Sequence, residues 1–436
     1  MSTATQDLIQ AGGDATSFGN VARQRRSAHG IAFWLAAAAF LINMGFAAVP
    51  TPLYPLYQQR DHISNVMVTI VYAVYAVGVV LSLFLGGHLS DTIGRRRVFI
   101  PALLIDVLSG VIFIFFPDLA GLLIARVISG ISVGLTTATA TSYVSELHAK
   151  HRPDASSRRA EVVATASNLG GIGFGPLIAG ILAQVVTSPL KVPYIVFGAA
   201  VLVTALALIV APETVTRPDP RPRYRPQRIA VPPQERSLFF AATAAGFAAF
   251  AVFGVFNSLV PSFLLGTLHI ESHITAGAAA FAPFAAAAAA QIVQSHVPSL
   301  ALLRRSVPVV VIGLALFAGG MWAGSLIMFL VGGALTGAGG GMVFKGALVV
   351  TVSKAPANSR AEVLAGYFLG AYIGLSVPVI GLGVATTYWA AKDVMLVFVV
   401  LAAVAIAASI RAVVRIEGAG NAAASSTAAG NTVAGD

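Results

Sequence analysis

Cysteine is absent from this 436-residue chain, and charge is scarce: Asp, Glu, Lys and Arg together make up 10 % of the residues. Without a thiol there is no disulfide framework and no thiolate metal site, and the redox compartment leaves no mark. Acids are the rarer sign, 17 against 27 Lys and Arg, for a net charge of +10. A water-soluble domain carries roughly 25 % charged residues. With 57 % hydrophobic residues and a mean hydropathy of +0.84, this chain lacks the polar surface to stay in water. The positive excess does not point to nucleic acid, which needs basic residues gathered on one face of a folded domain. Here they sit in short connections between apolar runs. Enzyme signals are missing too. The glycine run at 337–341 lacks the Lys-Ser/Thr ending of a phosphate loop, and the eight His make no metal-binding pair on one helical face. No cofactor or metal ion is indicated. A short apolar region with a small-residue cleavage site does not precede residue 30, so the first apolar run does not read as a removable signal.

What the chain has is a succession of long apolar runs. A helix crossing the hydrocarbon core needs about 20 mostly apolar residues. Twelve stretches qualify, near 31–56, 64–86, 98–116, 119–142, 161–187, 193–211, 238–265, 274–296, 306–321, 324–349, 361–389 and 393–413. The uncharged stretch 306–344 is too long for one helix, and Gly319, Gly320 and Gly324 mark its break. Most Lys and Arg fall on the side of the N-terminus. The other side holds only Arg60, Lys191 and Lys392, and Arg126 and Lys345 lie within spans. By the positive-inside rule both termini are cytoplasmic, in a multi-pass protein of the cytoplasmic membrane. The expected organisation is a cytoplasmic tail over 1–30, a six-helix bundle over 31–211, a Pro/Arg-rich linker over 212–236, a second bundle over 237–414 and a disordered tail over 415–436. The halves echo each other: Arg159–Ala164 reads RAEVVA and Arg360–Ala365 reads RAEVLA, while Gly130 and Gly134 answer to Gly333 and Gly337. Such echoes point to a duplicated six-helix unit, the parallel repeat of large secondary transporters.

One connection breaks the scarcity of charge. Gly87 to Arg97 reads GHLSDTIGRRR, and glycines at 87 and 94 allow a tight turn around an acid and three arginines. Plain positive-inside charge accounts for the arginines but not for Asp91 or the two Gly. The stretch resembles at every fixed position the loop between the second and third helices of the major facilitator superfamily, G-x-L-x-D-x-x-G-R-[RK]-[RK]. The resemblance implies an all-α membrane fold of twelve helices in two pseudo-symmetric bundles, usually monomeric. It also implies a conformational latch between the halves, with Gly87, Asp91, Gly94, Arg95 and Arg96 joined by Glu146 and Arg159. The second half, at SLALLRRSVP, keeps Arg304 and Arg305 without the Gly or Asp, so the latch is expected on one side only.

Two further motifs extend the resemblance. Arg126 followed by Gly130 and Gly134 is similar to the R-x-x-x-G-x-x-x-G of the family's fourth helix, where the Arg is implicated in proton coupling; the alternative is an Arg reaching the outer interface. An Arg inside a span costs several kcal/mol unless it faces protein or water, about 3 on insertion scales. Gly171, Gly175, Pro176 and Gly180 resemble the fifth-helix signature of the family's antiporters, with Ala179 replacing one Gly. Asp106 is the sole acid deep within a span, and it joins Arg126 as a candidate for handling protons. The fold implied has its first, fourth, seventh and tenth spans lining a cavity, which makes Asn43, Tyr54, Phe250, Asn257, Thr336 and Lys345 candidates for substrate contact. The Phe stripe at 247, 250, 253 and 256 suits either cavity or lipid, and the glycines at 339–341 suggest a soft point for gating. Two fixed cations against one acid disfavour permanently cationic substrates. The expectation is a secondary transporter that exports neutral or weakly anionic amphiphiles, drugs or metabolites, in exchange for protons. Its rivals are an importer of a sugar or organic acid and a non-transporting sensor or scaffold.

Overall fold

In lipid each backbone N–H and C=O needs a partner inside its own segment, so an apolar run of membrane length folds as a helix. The computed structural model describes residues 27–216, 226–227, 231–356 and 359–433, the side chains of 361 and 420–433 excepted. Twelve of its helices are long and apolar enough to span a membrane. They are α1 (Ser27–Asp61), α2 (Asn65–Gly86), α3 (Arg95–Phe115), α4 (Leu119–His151), α5 (Arg158–Val185), α6 (Val192–Val210), α7 (Pro233–Ser258), α8 (His273–Val293), α9 (Ser299–Ala323) and α10 (Leu326–Lys354). The last two are α11 (Arg360–Tyr388) and α12 (Ala391–Val433). With successive helices antiparallel, the 87–94 connection and the helical ends nearest both termini share one end of the bundle, the loop end; the other is the far end. Most of the N-terminal tail, residues 1–26, and the middle of the linker lie outside the described residues.

The duplication is visible in the helix ends. Ser64, Asp118, Ser272 and Ser325 each accept a backbone N–H three residues on, capping α2, α4, α8 and α10. The first and seventh spans break alike. Residues 27–48 are helical, a turn at Thr51–Leu53 follows, and a short helix Tyr54–Asp61 ends at His62 with φ of 54°. After α7 the short helix Val260–Leu268 ends at His269, also at 54°. Prolines at 50, 52 and 55 in the first case and 261 in the second account for the interruption. The expected break in the 306–344 run falls at Gly324, whose φ of +65° ends α9.

Helices approach through glycine. A Cβ on Gly78 would strike the backbone of α4, and one on Gly130 that of α2; Gly313 and Gly332 do the same for α9 and α10. Without a hydrophobic force between helices in lipid, such close packing carries the association. The glycines at 339–341 belong to this class, correcting the expectation of a soft point: Gly339 packs on Val310, Gly340 on Phe253 and Gly341 on Ala287, and α10 runs unbroken through them. α12 also runs on to Val433, where composition led to an expectation of disorder from 415. No Pro stops it, and Ala, the strongest helix former, recurs along the extension.

The halves meet along α5 with α8 and α2 with α11. A Cβ on Gly180 would meet His273, and one on Gly277 would meet Pro176. Gln58 accepts from Ser262 at 2.8 Å, Gln184 accepts the His273 N–H at 2.9 Å, and Thr69 abuts Gly383. Within the first half, Gly175 lies with its backbone against Gly45 of α1. Gly175→Val is expected to force α1 from α5 and cost about 1–3 kcal/mol, read as a lower thermal midpoint in detergent. Gly198→Ala, whose added carbon meets only Phe46 at 4.0 Å, is expected to leave the midpoint unchanged.

Candidate functional site

The 87–94 connection is a built charge cluster. Leu89–Ile93 forms one short helix, and Gly94 turns the chain into α3 at φ +121°, a value few L side chains adopt. That turn buries Arg95. Its Nη1 reaches Asp91 Oδ1 at 2.5 Å and Ser90 Oγ at 2.8 Å, while Nε and Nη2 donate to Glu146 Oε1 at 3.0 and 2.8 Å. The other oxygen of Glu146 accepts the Thr214 hydroxyl at 2.5 Å. Glu213 Oε1 accepts the backbone N–H of Arg95 at 2.8 Å and that of Thr214 at 2.9 Å. Arg96 donates to the carbonyls of Ile209 and Ala211, Tyr143 to Pro212, and Lys150 to Thr214. A Cβ on Gly87 would strike the Leu83 carbonyl 2.6 Å away, and one on Gly94 would overlap the Glu213 carboxylate.

The cluster therefore ties the loop to the ends of α4 and α6, all within the first half. Asp91, Gly94, Arg95, Arg96 and Glu146 come together, but Arg159 does not join them. Its guanidinium lies 5.5 Å over the ring of Trp34, because the first turn of α5 faces α1 rather than the loop. Glu213, Thr214, Tyr143 and Ser90 were not singled out in the sequence. The one available signal was an acid two residues after the sixth apolar run.

Inside the membrane, Arg126 is 3 % exposed and so does not reach the outer interface. Its Nη1 donates to the Ala47 carbonyl at 2.7 Å and its Nε to Val71 at 3.4 Å, and the guanidinium sits 4.6 Å over Tyr75 and 5.6 Å over Tyr72. Ala47 lies in the last turn of the helix 27–48, where the interruption frees carbonyls that a continuing helix would use. The Arg cation thus meets the negative end of a broken helix and joins α1, α2 and α4. Asp106 is fully buried. The Ser109 hydroxyl is 3.3 Å from its Oδ1, and its Oδ2 has no hydrogen-bond partner among the described residues. Asp106 and Arg126 form no ion pair among the described residues; Arg126 is satisfied by carbonyls and rings instead. Lys345 donates to the Gln291 carbonyl at 3.0 Å, and Glu161 across the interface is within electrostatic reach.

The substrate-contact candidates divide. Asn43 Nδ2 is 3.4 Å from Thr136 Oγ1 and its Oδ1 accepts from Ser132 at 3.3 Å, joining α1 to α4. Tyr54 is buried with its hydroxyl unpartnered, and Asn257 is buried with a free Oδ1, both among the described residues. Phe250 packs at 4.8 Å from Phe344 and 5.6 Å from Tyr372, and Tyr372 lies near Tyr72 and Tyr75 of the other half. Of the Phe stripe, Phe253 meets Phe284 while Phe256 turns to Phe317 in the core of the second half. Thr336 is a correction: it packs against Gly313 of α9, because the small Gly there lets α10 press its Thr into the helix contact, away from the first half. In α5, Gly171 and Gly175 lie on α1, and Pro176 and Gly180 on α8, so the motif forms a seam with a neighbour on each side.

Comparison with known proteins matches this arrangement. A model of the Major Facilitator Superfamily matches residues 35–305, more than half of the chain. A curated relative from Methanocaldococcus jannaschii, an uncharacterised MFS-type transporter, is 26 % identical over 38 % of this chain and 40 % of its own length. The arabinose-proton symporter of Bacillus subtilis is 30 % identical over 19 % of this chain and 18 % of its own. The bacillibactin exporter of the same organism is 23 % identical over 30 % and 34 %. The chain thus matches less than half the length of these relatives. Solved structures agree over nearly the whole fold. A bacterial homologue of the lysosomal transporter Spinster, inward-facing and unoccupied, gives a TM-score of 0.64 at 14 % identity, covering 89 % of this chain and 98 % of that one. The nucleoside transporter NupG gives 0.65 at 10 % identity over 87 % and 99 %. The chain belongs to the major facilitator superfamily of secondary membrane transporters.

Proposed function

We propose that this transporter exports small neutral or weakly anionic amphiphiles in exchange for protons, across a cytoplasmic membrane with the loop end in the cytoplasm. The observation that carries the reading is the charge inventory of the membrane interior. Among the described residues, Asp106 is the one acid deep within the spans, against the cations Arg126 and Lys345. A permanently cationic cargo would meet repulsion there, since charge interactions strengthen where water is excluded. The aromatic belt of Tyr72, Tyr75, Tyr372, Phe250 and Phe344 supports an amphiphile, and the unpartnered oxygens of Tyr54 and Asn257 supply its polar contacts. Asp106, with an oxygen free to take a proton, is the coupling group. Apart from the electrostatic approach of Glu161 to Lys345, the contacts between the halves named above lie from mid-membrane to the far end, which supports reading the structure as closed outward and accessible from the cytoplasm. The α5 motif, pressed on α1 and α8, is the seal expected of an antiporter. The chain functions as a monomer in this reading, since every group invoked lies within one copy.

The relatives include both a symporter and an exporter, so direction is the quantity to measure. Everted vesicles from a host without its own exporters are energised, and the proton gradient is followed by fluorescence quenching. A neutral or anionic amphiphile is expected to dissipate the gradient, a lipophilic cation of similar size much less. Asp106→Asn is expected to abolish this proton flux. Equal response to the cation, or coupled flux that survives Asp106→Asn, overturns the proposal.

A further inference from the structure

Arg95 and Arg96 of the loop cluster are satisfied, whereas Arg152 and Arg159, at the same end of the bundle, are not. Arg152, just past the end of α4, and Arg159, in the first turn of α5, are both exposed, and neither pairs with a carboxylate among the described residues. Both face one cavity of about 300 Å³ between the loop ends of α1, α4 and α5. His151 and Ser27 line it too, and among the described residues no acid does. Its outer wall is Ile31 and Trp34, 63 % and 53 % exposed on the side that faces the hydrocarbon. Arg159 lies over the Trp34 ring, which holds the guanidinium at the boundary between the pocket and the apolar surface. A Cβ on Gly30 would fall 2.8 Å from the His151 ring, so the absence of a side chain there keeps the space beside the imidazole.

We propose that this pocket binds the phosphate of an anionic membrane lipid. Two guanidiniums border a space large enough for a headgroup, and Arg recognises a phosphate by paired hydrogen bonds as well as by charge. The wall beside it is apolar and lies where an acyl chain would descend, and Trp at this depth is the residue that anchors to the interface. A free oxyanion would satisfy the arginines equally but leaves Ile31 and Trp34 without a role. The site is separate from the transport path of Asp106 and Arg126, and the proposal does not depend on what is transported.

Trp34 is its own reporter. Trp322→Phe and Trp389→Phe leave it as the sole tryptophan, and the purified protein is placed in vesicles whose minor lipid carries brominated acyl chains. Brominated phosphatidylglycerol in phosphatidylcholine is expected to quench Trp34 well beyond its share of the lipid, and brominated phosphatidylcholine in phosphatidylcholine only in proportion to it. Arg152→Gln and Arg159→Gln are each expected to lower this preference by roughly fivefold. Arg304→Gln with Arg305→Gln, exposed cations at the loop end of the other half, are expected to leave it unchanged. Equal quenching by the two lipids in the unaltered pocket overturns the proposal, as does an equal loss in the Arg304/Arg305 variant, which marks diffuse attraction. Relief of the excess by millimolar inorganic phosphate overturns the lipid assignment in favour of a soluble anion.

Discussion

Arg126→Ala is expected to reduce transport to background and to lower the stability of the first half. The guanidinium is the partner of two carbonyls from different helices, Ala47 on α1 and Val71 on α2. Leaving a buried acceptor unsatisfied costs about 1–3 kcal/mol, and Ala supplies no donor to either. The contact with Tyr75 adds about 2 kcal/mol when desolvated. A thermal midpoint measured in detergent reads the structural part of the loss. Arg126→Lys separates the roles, because an ammonium keeps the charge but lacks the planar fork that spans two carbonyls. It is expected to recover part of the stability and little of the transport. Wild-type transport in Arg126→Ala, with only the midpoint lowered, would make the residue a helix clamp and remove it from proton coupling.

The same residue shows how far the sequence was legible. That Arg126 sits in a span, and so needs a partner, follows from counting apolar residues. Which partner does not. Asp106 was the one acid deep within a span, yet the carbonyls of a broken helix satisfy the cation instead. The break is legible from Pro50, Pro52 and Pro55, but the coincidence of its free carbonyl with an Arg on α4 is a fact of packing. The twelve helices, the six-plus-six division and the break at Gly324 were readable because lipid leaves the backbone few choices. The triple glycine was misread for the opposite reason: glycine softens an isolated helix and tightens a packed one, and only neighbours such as Val310 and Ala287 decide. Thr336 failed likewise, since a position on a cavity-lining span does not fix which face the side chain takes. Glu213 was passed over because an acid just after a span reads as a solvated end until Gly94 is seen to turn Arg95 toward it.

Arg95→Ala is expected to cost more than any other change at the loop, and the comparison with Asp91→Asn is what tests the latch. Arg95 is 8 % exposed and joins Ser90, Asp91 and Glu146. Breaking a fully buried pair costs about 3–5 kcal/mol. The Glu146 side chain keeps 32 % of its surface and that of Asp91 57 %, so solvent screening brings the expected loss nearer to about 2 kcal/mol. A double-mutant cycle between Arg95→Ala and Glu146→Ala is expected to return a coupling of about 1 kcal/mol or more. Asp91→Asn, at an exposed pair, is expected to cost less than about 1 kcal/mol of stability. Its transport should nonetheless fall. Asp91 is the most exposed acid of the cluster, and the latch reading has it meet the second half when the loop end closes, whereas Glu146 and Glu213 are engaged within the first half. A transport rate in Asp91→Asn equal to wild type would confine the cluster to holding the loop, α4 and α6 together, and the latch between halves would have to be sought elsewhere. A large transport loss with the midpoint unchanged would mean that Asp91 acts in a conformation other than this one, where its partner belongs to the other bundle.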